Sequence, residues 1–218
     1  VSVAYTYGKS MDNGSDKRNV IWNTFDDANY WGPSNFDRRH VIVVSYIYDL
    51  PIFRDQGTLM RNLLGGWQIS GSTFLRTGTP FSITRTNDIA GVGDGGNGQP
   101  VDLVGDPKTS VTNKFSSGTD TNFFFNPAAF ANPAAGKYGN STRNILRNPG
   151  DQQWDIAVFK NFSLGGRRKV QARAEVFNFP NQPNLGGVNS DITSPNFGRV
   201  ITKDGSRRDI QIALRYLF

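Results

Sequence analysis

Few side chains in this sequence are suited to covalent catalysis. The sequence contains one histidine, His40, and no cysteine. A Ser-His-Asp arrangement is therefore possible only around His40, and a Cys-His arrangement is excluded. His40 directly follows Arg38 and Arg39 at the start of an apolar segment, where a structural or interfacial role is the more common one. We expect a protein that is not an enzyme and that uses no cofactor.

Aspartates recur in the glycine-rich stretch NDIAGVGDGGNGQPVDLVGD, and oxygen-rich loops of this kind are able to bind calcium. The four candidate ligands are Asp88, Asp94, Asp102 and Asp106. Their spacing matches neither an EF-hand loop nor a repeated nonapeptide, so a mobile surface loop is the favoured interpretation and calcium the alternative. The GVGDGG run lacks the Lys-Ser/Thr that follows in a phosphate-binding loop.

Charged and amide side chains alternate with apolar ones in two segments near the end of the sequence. In KVQARAEVFNF, Gln171, Arg173 and Glu175 fall between small or β-branched apolar residues. Gln211 and Arg215 do the same in the last segment. Successive side chains of a strand point to opposite faces, so this alternation predicts strands with one polar and one apolar face.

The last twelve residues, RRDIQIALRYLF, show the apolar side of the pattern. Ile210, Ile212, Leu214, Tyr216 and Phe218 stand two apart and would share one face of a strand. An apolar stripe of this length needs either a protein core or a lipid bilayer against it.

Six segments have strand character, and the connections between them alternate in length. The strands are predicted near residues 1–9, 38–49, 66–78, 152–163, 168–179 and 207–218. The link PIFRDQGTLMRNLLG has room for a helical turn, and Gly165-Gly166 predicts a tight hairpin. The other connections, at 10–37, 79–151 and 180–206, are long and rich in glycine, asparagine, aspartate and proline.

The composition agrees with an all-β protein, with 24 glycines, 11 prolines and 12% aromatic residues. The net charge is +6, but the basic residues form short, separated pairs, so we expect no nucleic-acid partner. No run approaches the length of a transmembrane helix. The sequence starts in mid-pattern at VSVAYTYG, so we expect residues 1–218 to be part of a longer chain.

Two architectures fit these segments. Short turns on one rim and long loops on the other are typical of an outer-membrane barrel, and aromatics near strand ends supply its interfacial girdles. A soluble β-sandwich also alternates and buries aromatics. The loop asymmetry favours the barrel, and we predict an antiparallel transmembrane β-barrel segment of about six strands that forms an open wall.

In such a barrel the polar face must line the lumen, because an Arg or Lys facing lipid at mid-depth costs about 2–4 kcal/mol. The residues predicted to face the lumen are Arg76, Gln171, Arg173, Glu175, Gln211 and Arg215.

Two long runs stand out, FFNPAAFANPAAGKYGNSTRNILRNPGDQQWDIAVFKNFSL and RAEVFNFPNQPNLGGVNSDITSPNFGRVI, followed by a closing strand that ends in Phe. With these residues the sequence resembles the C-terminal end of a TonB-dependent outer-membrane receptor, over nearly its whole length and most densely over residues 123–218. Within that group, the sequence resembles more specifically the Oar-like receptors, which carry an N-terminal carboxypeptidase-regulatory-like domain. The upstream GGWQISGSTFLRTGTPFSI is similar to the same group.

The resemblance implies a place in the bacterial outer membrane, in a larger barrel of about 22 strands. It implies TonB-dependent substrate binding and uptake, with several partners: outer-membrane lipid, the remaining strands, an N-terminal plug, TonB acting indirectly through N-terminal parts, and an unidentified extracellular ligand. Tyr216 and Phe218 resemble the signal that barrel-assembly machinery recognises. A secreted soluble β-sandwich for adhesion or carbohydrate binding remains the alternative.

Overall fold

A computed structural model describes residues 1–16, 23, 27–53, 55, 57–93, 98–108, 123–205 and 207–218, with only the backbone at positions 29 and 58. In this described part, six long strands form one antiparallel sheet in chain order. They are β1 (Ser2–Tyr7), β2 (His40–Asp49), β3 (Trp67–Arg76), β4 (Asp151–Gly165), β5 (Arg168–Phe177) and β6 (Asp209–Leu217). The prediction of an all-β protein is confirmed.

The sheet is open. Strands β1 and β6 lie at its two edges and do not pair with each other, so no cylinder closes within the described residues. Five strands lie inside the predicted ranges, whereas β4 extends beyond 152–163 at both ends. Its first part pairs with β3 and its last part with β5. The sheet is thus an open wall whose two edges present unpaired backbone groups.

Two connections at one end of the sheet are short. Gly165 and Gly166 both have positive φ, of 96° and 58°, and they turn β4 into β5. The link between β2 and β3 contains the helix α1 (Thr58–Leu64), as the sequence predicted. The helix stops at Gly65, where an added Cβ would lie 2.7 Å from the Arg61 carbonyl oxygen.

The three long connections, 8–39, 77–150 and 178–208, leave the opposite end of the sheet because neighbouring strands are antiparallel. They contain 3-10 helices at Ala28–Tyr30 and Pro127–Ala129. Their two-residue strands pair as Met11–Asp12 with Gly32–Pro33, Pro80–Phe81 with Leu146–Arg147, Thr84–Arg85 with Gln99–Pro100, Asp102–Leu103 with Phe130–Ala131, and Asn184–Leu185 with Lys203–Asp204.

The cluster of buried apolar residues that the structure describes lies in these connections and not on the sheet. It consists of Ile83, Val101, Phe125, Ala129, Phe130 and Val188. We call the described parts of 8–39, 77–150 and 178–208 the loop body. The long connections thus have a hydrophobic core of their own in the part described.

The described helices include none with the length and apolar character needed to cross a bilayer.

Candidate functional site

The strand register divides the sheet into two faces of opposite character. Gln171 lies opposite Arg215, and Glu175 lies opposite Gln211, while Arg173 falls between them on the same side. Arg76 joins this side through its pairing with Asp151 on β4. All six residues predicted to face the lumen therefore share one surface, which we call the polar face: Arg76, Gln171, Arg173, Glu175, Gln211 and Arg215.

Side chains on the polar face are paired with one another. Arg173 forms an ion pair with Glu175, and its guanidinium lies 5.0 Å from the centre of the Phe159 ring. The Gln171 amide donates to Asn161 Oδ1 at 3.0 Å. The ion pair gives the two charged side chains of β5 a partner while both keep some exposure to solvent.

Arg76 stands where the polar face meets the loop body. It donates two hydrogen bonds to Asp151, from Nε at 2.7 Å and from Nη2 at 2.6 Å. Arg38 Nη1 approaches the same carboxylate at 3.6 Å. A bidentate pair of this kind holds its partners in a fixed geometry.

A groove of about 610 Å³ runs over the polar face. A row of small polar residues crosses four neighbouring strands on its floor, because Ser2 pairs with Ser45, Ser45 with Ser72, and Ser72 with Asp155. Glu175 also lines the groove. The arrangement offers hydroxyl and carboxylate groups to water or to another chain segment, and it contains no nucleophile next to a histidine among the described residues.

The opposite face is apolar and largely uncovered. We call it the apolar face; its large exposed members include Val3, Tyr5, Tyr7, Tyr48, Trp154, Ile210, Ile212, Leu214 and Tyr216. Phe218 follows β6, and its ring lies 6.0 Å from that of Tyr216. His40 also belongs to this face, where its Nδ1 lies 2.9 Å from Tyr5 Oη and its ring contacts Tyr7.

An aromatic cluster holds the loop body together. The ring of Phe125 lies 5.5 Å from that of Phe130 and 5.2 Å from that of Phe197, both in edge-to-face geometry. Phe197 comes from the third connection and the other two rings from the second. Backbone bonds join the same connections. The Thr84 N–H donates to the Ser190 carbonyl at 3.0 Å, and the Thr84 carbonyl accepts from the Ile192 N–H at 2.9 Å.

A buried carboxylate links the first connection to the second. The Asp37 side chain is 1% exposed, accepts from the Ser10 N–H at 2.7 Å, and pairs with Arg39 and Arg147. Burial by itself raises the pKa of Asp37, but the Ser10 hydrogen bond and the two arginines outweigh it and hold the pKa below its ordinary value of 3.8. Asp37 therefore remains ionised at neutral pH.

Arg143 forms a second link between the same connections. Its guanidinium donates to the carbonyl of Asp12 at 3.0 Å, to the Asp12 carboxylate, to Ser15 Oγ and to Asn35 Oδ1. Burial works against the charged form of Asp12, yet the bonds from Arg143 and Ser15 keep the pKa of Asp12 below its ordinary value. The Asn144 amide donates to Asn35 Oδ1 at 2.8 Å and strengthens the link.

The aspartates considered for calcium serve separate turns. Asp88 accepts from the N–H groups of Gly91 and Gly93 at 2.8 and 2.7 Å and from Gln99 Nε2 at 2.6 Å. The bond from Gln99 is the largest cause of its lowered pKa. Asp102 accepts from the Asn140 N–H, and Asp106 accepts from that of Lys108.

The four carboxylates do not form a described metal site. No group of three or more metal-ligating side chains is found within the part of the chain that the structure describes, and Asp94 lies outside it. The buried Gln99 side chain accepts from the Ile89 N–H and donates to Asp88, which joins the described residues on the two sides of this stretch. The interpretation as a mobile surface loop stays a prediction.

A cavity of about 440 Å³ opens in the loop body. Its wall combines Phe124, Phe125 and Leu146 with Asn144 and the basic residues Arg39, Lys108 and Arg147. Arg39 and Arg147 share the Asp37 carboxylate, so the local charge is positive even after this pairing. The cavity can accept a small molecule with an apolar part and hydrogen-bond acceptors.

A family model described as an outer membrane beta barrel domain matches residues 1–211. The chain belongs to this family. No curated protein and no solved structure matches it.

Membership in the outer membrane beta barrel family places the chain in the bacterial outer membrane, as predicted. It also explains the uncovered apolar face, which a soluble protein would bury. The alternative of a secreted soluble β-sandwich loses its support, since no second sheet packs on the apolar face among the described residues of this barrel domain.

Sequence reasoning missed one residue of the barrel wall. Lys160 occupies the apolar register of β4, opposite Trp67 and Ala172, yet it is only 3% exposed. A lysine that interrupts an otherwise apolar alternation was the available signal, because such a charge requires a partner.

Proposed function

We propose that the chain is a wall segment of a TonB-dependent outer-membrane receptor, which takes part in substrate binding and uptake. The observation that carries the proposal is the arrangement of one amphipathic open sheet with all three long connections folded into a single body at one end. Barrels of this class place short turns in the periplasm and long loops outside the cell. The loop body is then extracellular.

The edges of the sheet support a larger barrel. Backbone groups at the free edges of β1 and β6 need partners inside a bilayer, because unsatisfied groups there cost several kcal/mol each. Further strands of the parent chain supply these partners. An Oar-like receptor barrel, in which these six strands are only part of the wall, meets this requirement and agrees with the sequence resemblance.

The loop body supplies the surface that meets an extracellular ligand. Its own core and ionic links give it a fixed shape, and the 440 Å³ cavity lies within it. His40 contacts Tyr5 and Tyr7 on the apolar face, and these aromatic contacts favour a structural role for it over a catalytic one.

The polar face serves as the lumen wall against the plug. Its paired charges, above all Arg173 with Glu175, tolerate a wet lumen and offer contacts to a plug. Reversing the charge with Arg173→Glu is expected to weaken retention of the plug in the parent receptor. Unchanged retention would argue against this contact.

The end of β6 acts as the assembly signal in this proposal. Tyr216 and Phe218 present stacked rings at the rim of the sheet, where assembly machinery can bind an exposed strand. Replacing Phe218 with Ala in the parent should lower the amount of folded receptor in the outer membrane, whereas Val1→Ala at the other edge should not.

Cysteine labelling tests the wall and the uptake separately. The chain has no cysteine, so Ala213→Cys on the polar face and Leu214→Cys on the apolar face each introduce its single thiol. In the parent receptor in intact membranes, a water-soluble maleimide should label position 213 faster and a lipid-soluble one position 214. The unsubstituted parent is the control. Equal labelling of both positions by both reagents would overturn the wall assignment.

The uptake proposal has its own readout. If TonB moves the plug, labelling of Ala213→Cys should be faster in energised cells with TonB than in cells without it. An identical rate would contradict TonB-dependent uptake and leave the wall assignment, which rests on the contrast between positions 213 and 214, intact.

A further inference from the structure

The helix α1 exposes an apolar stripe that nothing in the described residues covers. Leu59 is 72% and Leu63 55% exposed, and Met60 and Leu64 are also exposed. Leu59 with Leu63 and Met60 with Leu64 are four residues apart, so all four side chains lie on one side of the helix. A seven-residue helix has little stability of its own in water, so this stripe needs an apolar environment.

Two contacts fix the helix to the end of β4. Asn62 Nδ2 donates to the Ser163 carbonyl at 3.3 Å, beyond the point where β3 stops pairing with β4. Lys160 Nζ donates to the carbonyls of Asn62 (3.0 Å) and Gly65. A lysine ammonium at a helix C-terminus satisfies carbonyls that lack intrahelical partners and complements the partial negative charge there.

The position of Lys160 shows on which side of the sheet the helix ends. Lys160 belongs to the apolar face, and its Nζ lies 5.5 Å from the centre of the Trp67 ring and 5.0 Å from that of Phe162. The carbonyls that it binds therefore stand on the apolar side. They stand at the short-turn end of the sheet, which is periplasmic in barrels of this class.

We propose that α1 is an interfacial membrane anchor, which lies in the periplasmic leaflet of the outer membrane with Leu59, Met60, Leu63 and Leu64 among the acyl chains of phospholipids. The occupant is lipid because the stripe continues the apolar face, which family membership already places against lipid. Trp67 beside it is the type of residue that marks the interface. Arg61, on the other side of the helix, reaches the phosphate headgroups.

The anchor extends into the residues before the helix. Ile52 and Phe53 are also exposed and stand in the same short-turn connection. The Ile52 carbonyl lies against Gly65, within 3.1 Å of the position of an added Cβ, so this part of the connection follows the end of the helix. The proposal rests on the outer-membrane barrel and is independent of TonB-dependent uptake.

Collision accessibility of a nitroxide tests the anchor in the full-length parent receptor reconstituted in phospholipid bilayers. A spin label is attached at Leu63→Cys. The matched control carries the label at Arg61→Cys, on the opposite side of the same helix. Molecular oxygen concentrates among acyl chains, and a water-soluble nickel chelate stays outside them. We expect the ratio of oxygen to nickel accessibility to be several-fold higher at position 63 than at position 61.

Each other occupant gives a different result. Equal ratios at both positions with strong nickel accessibility would show the helix in water, and low accessibility of position 63 to both reagents would show it covered by protein. Either result would overturn the proposal. Met60→Cys repeats the measurement on the same stripe, so that an effect specific to position 63 does not decide the outcome.

Discussion

In β6, Ile212 and Leu214 are 81% and 76% exposed, whereas in the loop body Ile83 and Val101 are 1% and 0% exposed. The sheet thus exposes these apolar residues, whereas the loop body has a buried hydrophobic core. Lipid replaces water around the first region, so its side chains need no protein partner. The second region stands in water and requires a core of its own. The same chain therefore removes apolar surface from water in two ways, against lipid on the sheet and in a protein core in the loop body.

The largest effect is expected from truncating the hydrophobic core of the loop body. Phe125→Ala removes the ring that joins Phe130 to Phe197 and should lower the stability of the loop body by about 3–5 kcal/mol. Faster protease cleavage of the loop body on intact cells would report this loss. Phe36→Ala is the control, because Phe36 is exposed and its loss should change stability by no more than about 0.5 kcal/mol. Equal effects of both variants would show that the loop body has no functional core.

A charge placed on each face of β6 tests the sheet. Ile212→Arg puts a cation against lipid near the middle of the strand and should cost about 2–4 kcal/mol of barrel stability. Gln211→Arg puts the same cation opposite Glu175 on the polar face and should be nearly neutral. The urea midpoint of the folded parent, followed by heat-modifiable mobility on gels, measures both. A Gln211→Arg variant as unstable as Ile212→Arg would contradict the assignment of the faces.

Acid should separate the two regions. Because the pKa of Asp37 is lowered by folding, the unfolded loop body binds more protons than the folded one as the pH falls below about 3.8. The stabilising effect is complete above the unfolded pKa and is lost as the pH falls through the lower folded pKa. Cleavage by an acid-active protease should thus rise in the loop body over that range while the sheet signal in circular dichroism persists.

The matched variant for the acid experiment is Asp37→Asn. It removes the titrating group, so the pH dependence of loop-body cleavage should become shallower even if cleavage is faster at neutral pH. A pH dependence identical to that of the unsubstituted parent would assign the acid response to other groups.

The smallest effect is expected on the polar face. Arg173 is 43% exposed, and an exposed ion pair contributes no more than about 1 kcal/mol. Arg173→Gln should therefore shift the urea midpoint of the parent far less than Ile212→Arg does. A shift of similar size would mean that the polar face is dry, and that the contrast between the faces is weaker than the register indicates.

The sheet was predictable because its signal is local. Alternation within each strand places Gln171, Arg173 and Glu175 on one side, and pairing with β6 only brings equivalent patterns together. The lysine at position 160 broke the pattern, and its partners Asn62 and Gly65 stand too far away in the sequence for alternation to identify them.

The loop body was not predictable from the same reasoning. Phe125 meets Phe197 across a separation of about seventy residues, and no periodicity relates them. Its ionic links are equally distant, since Asp37 pairs with Arg147. Glycine, asparagine and proline in these connections predict turns correctly, but turn chemistry says nothing about which turns pack against each other.

Arg143 gives the loop body a mechanical property. Its guanidinium donates hydrogen bonds to Asp12, Ser15 and Asn35 in the first connection, while its own backbone belongs to the second. Packed and hydrogen-bonded contacts of this kind switch between discrete arrangements and do not stretch gradually. A molecule that displaces Asp12, Ser15 or Asn35 must therefore also break a bond to Arg143, so movement of these residues is coupled to the segment of the second connection that carries Arg143.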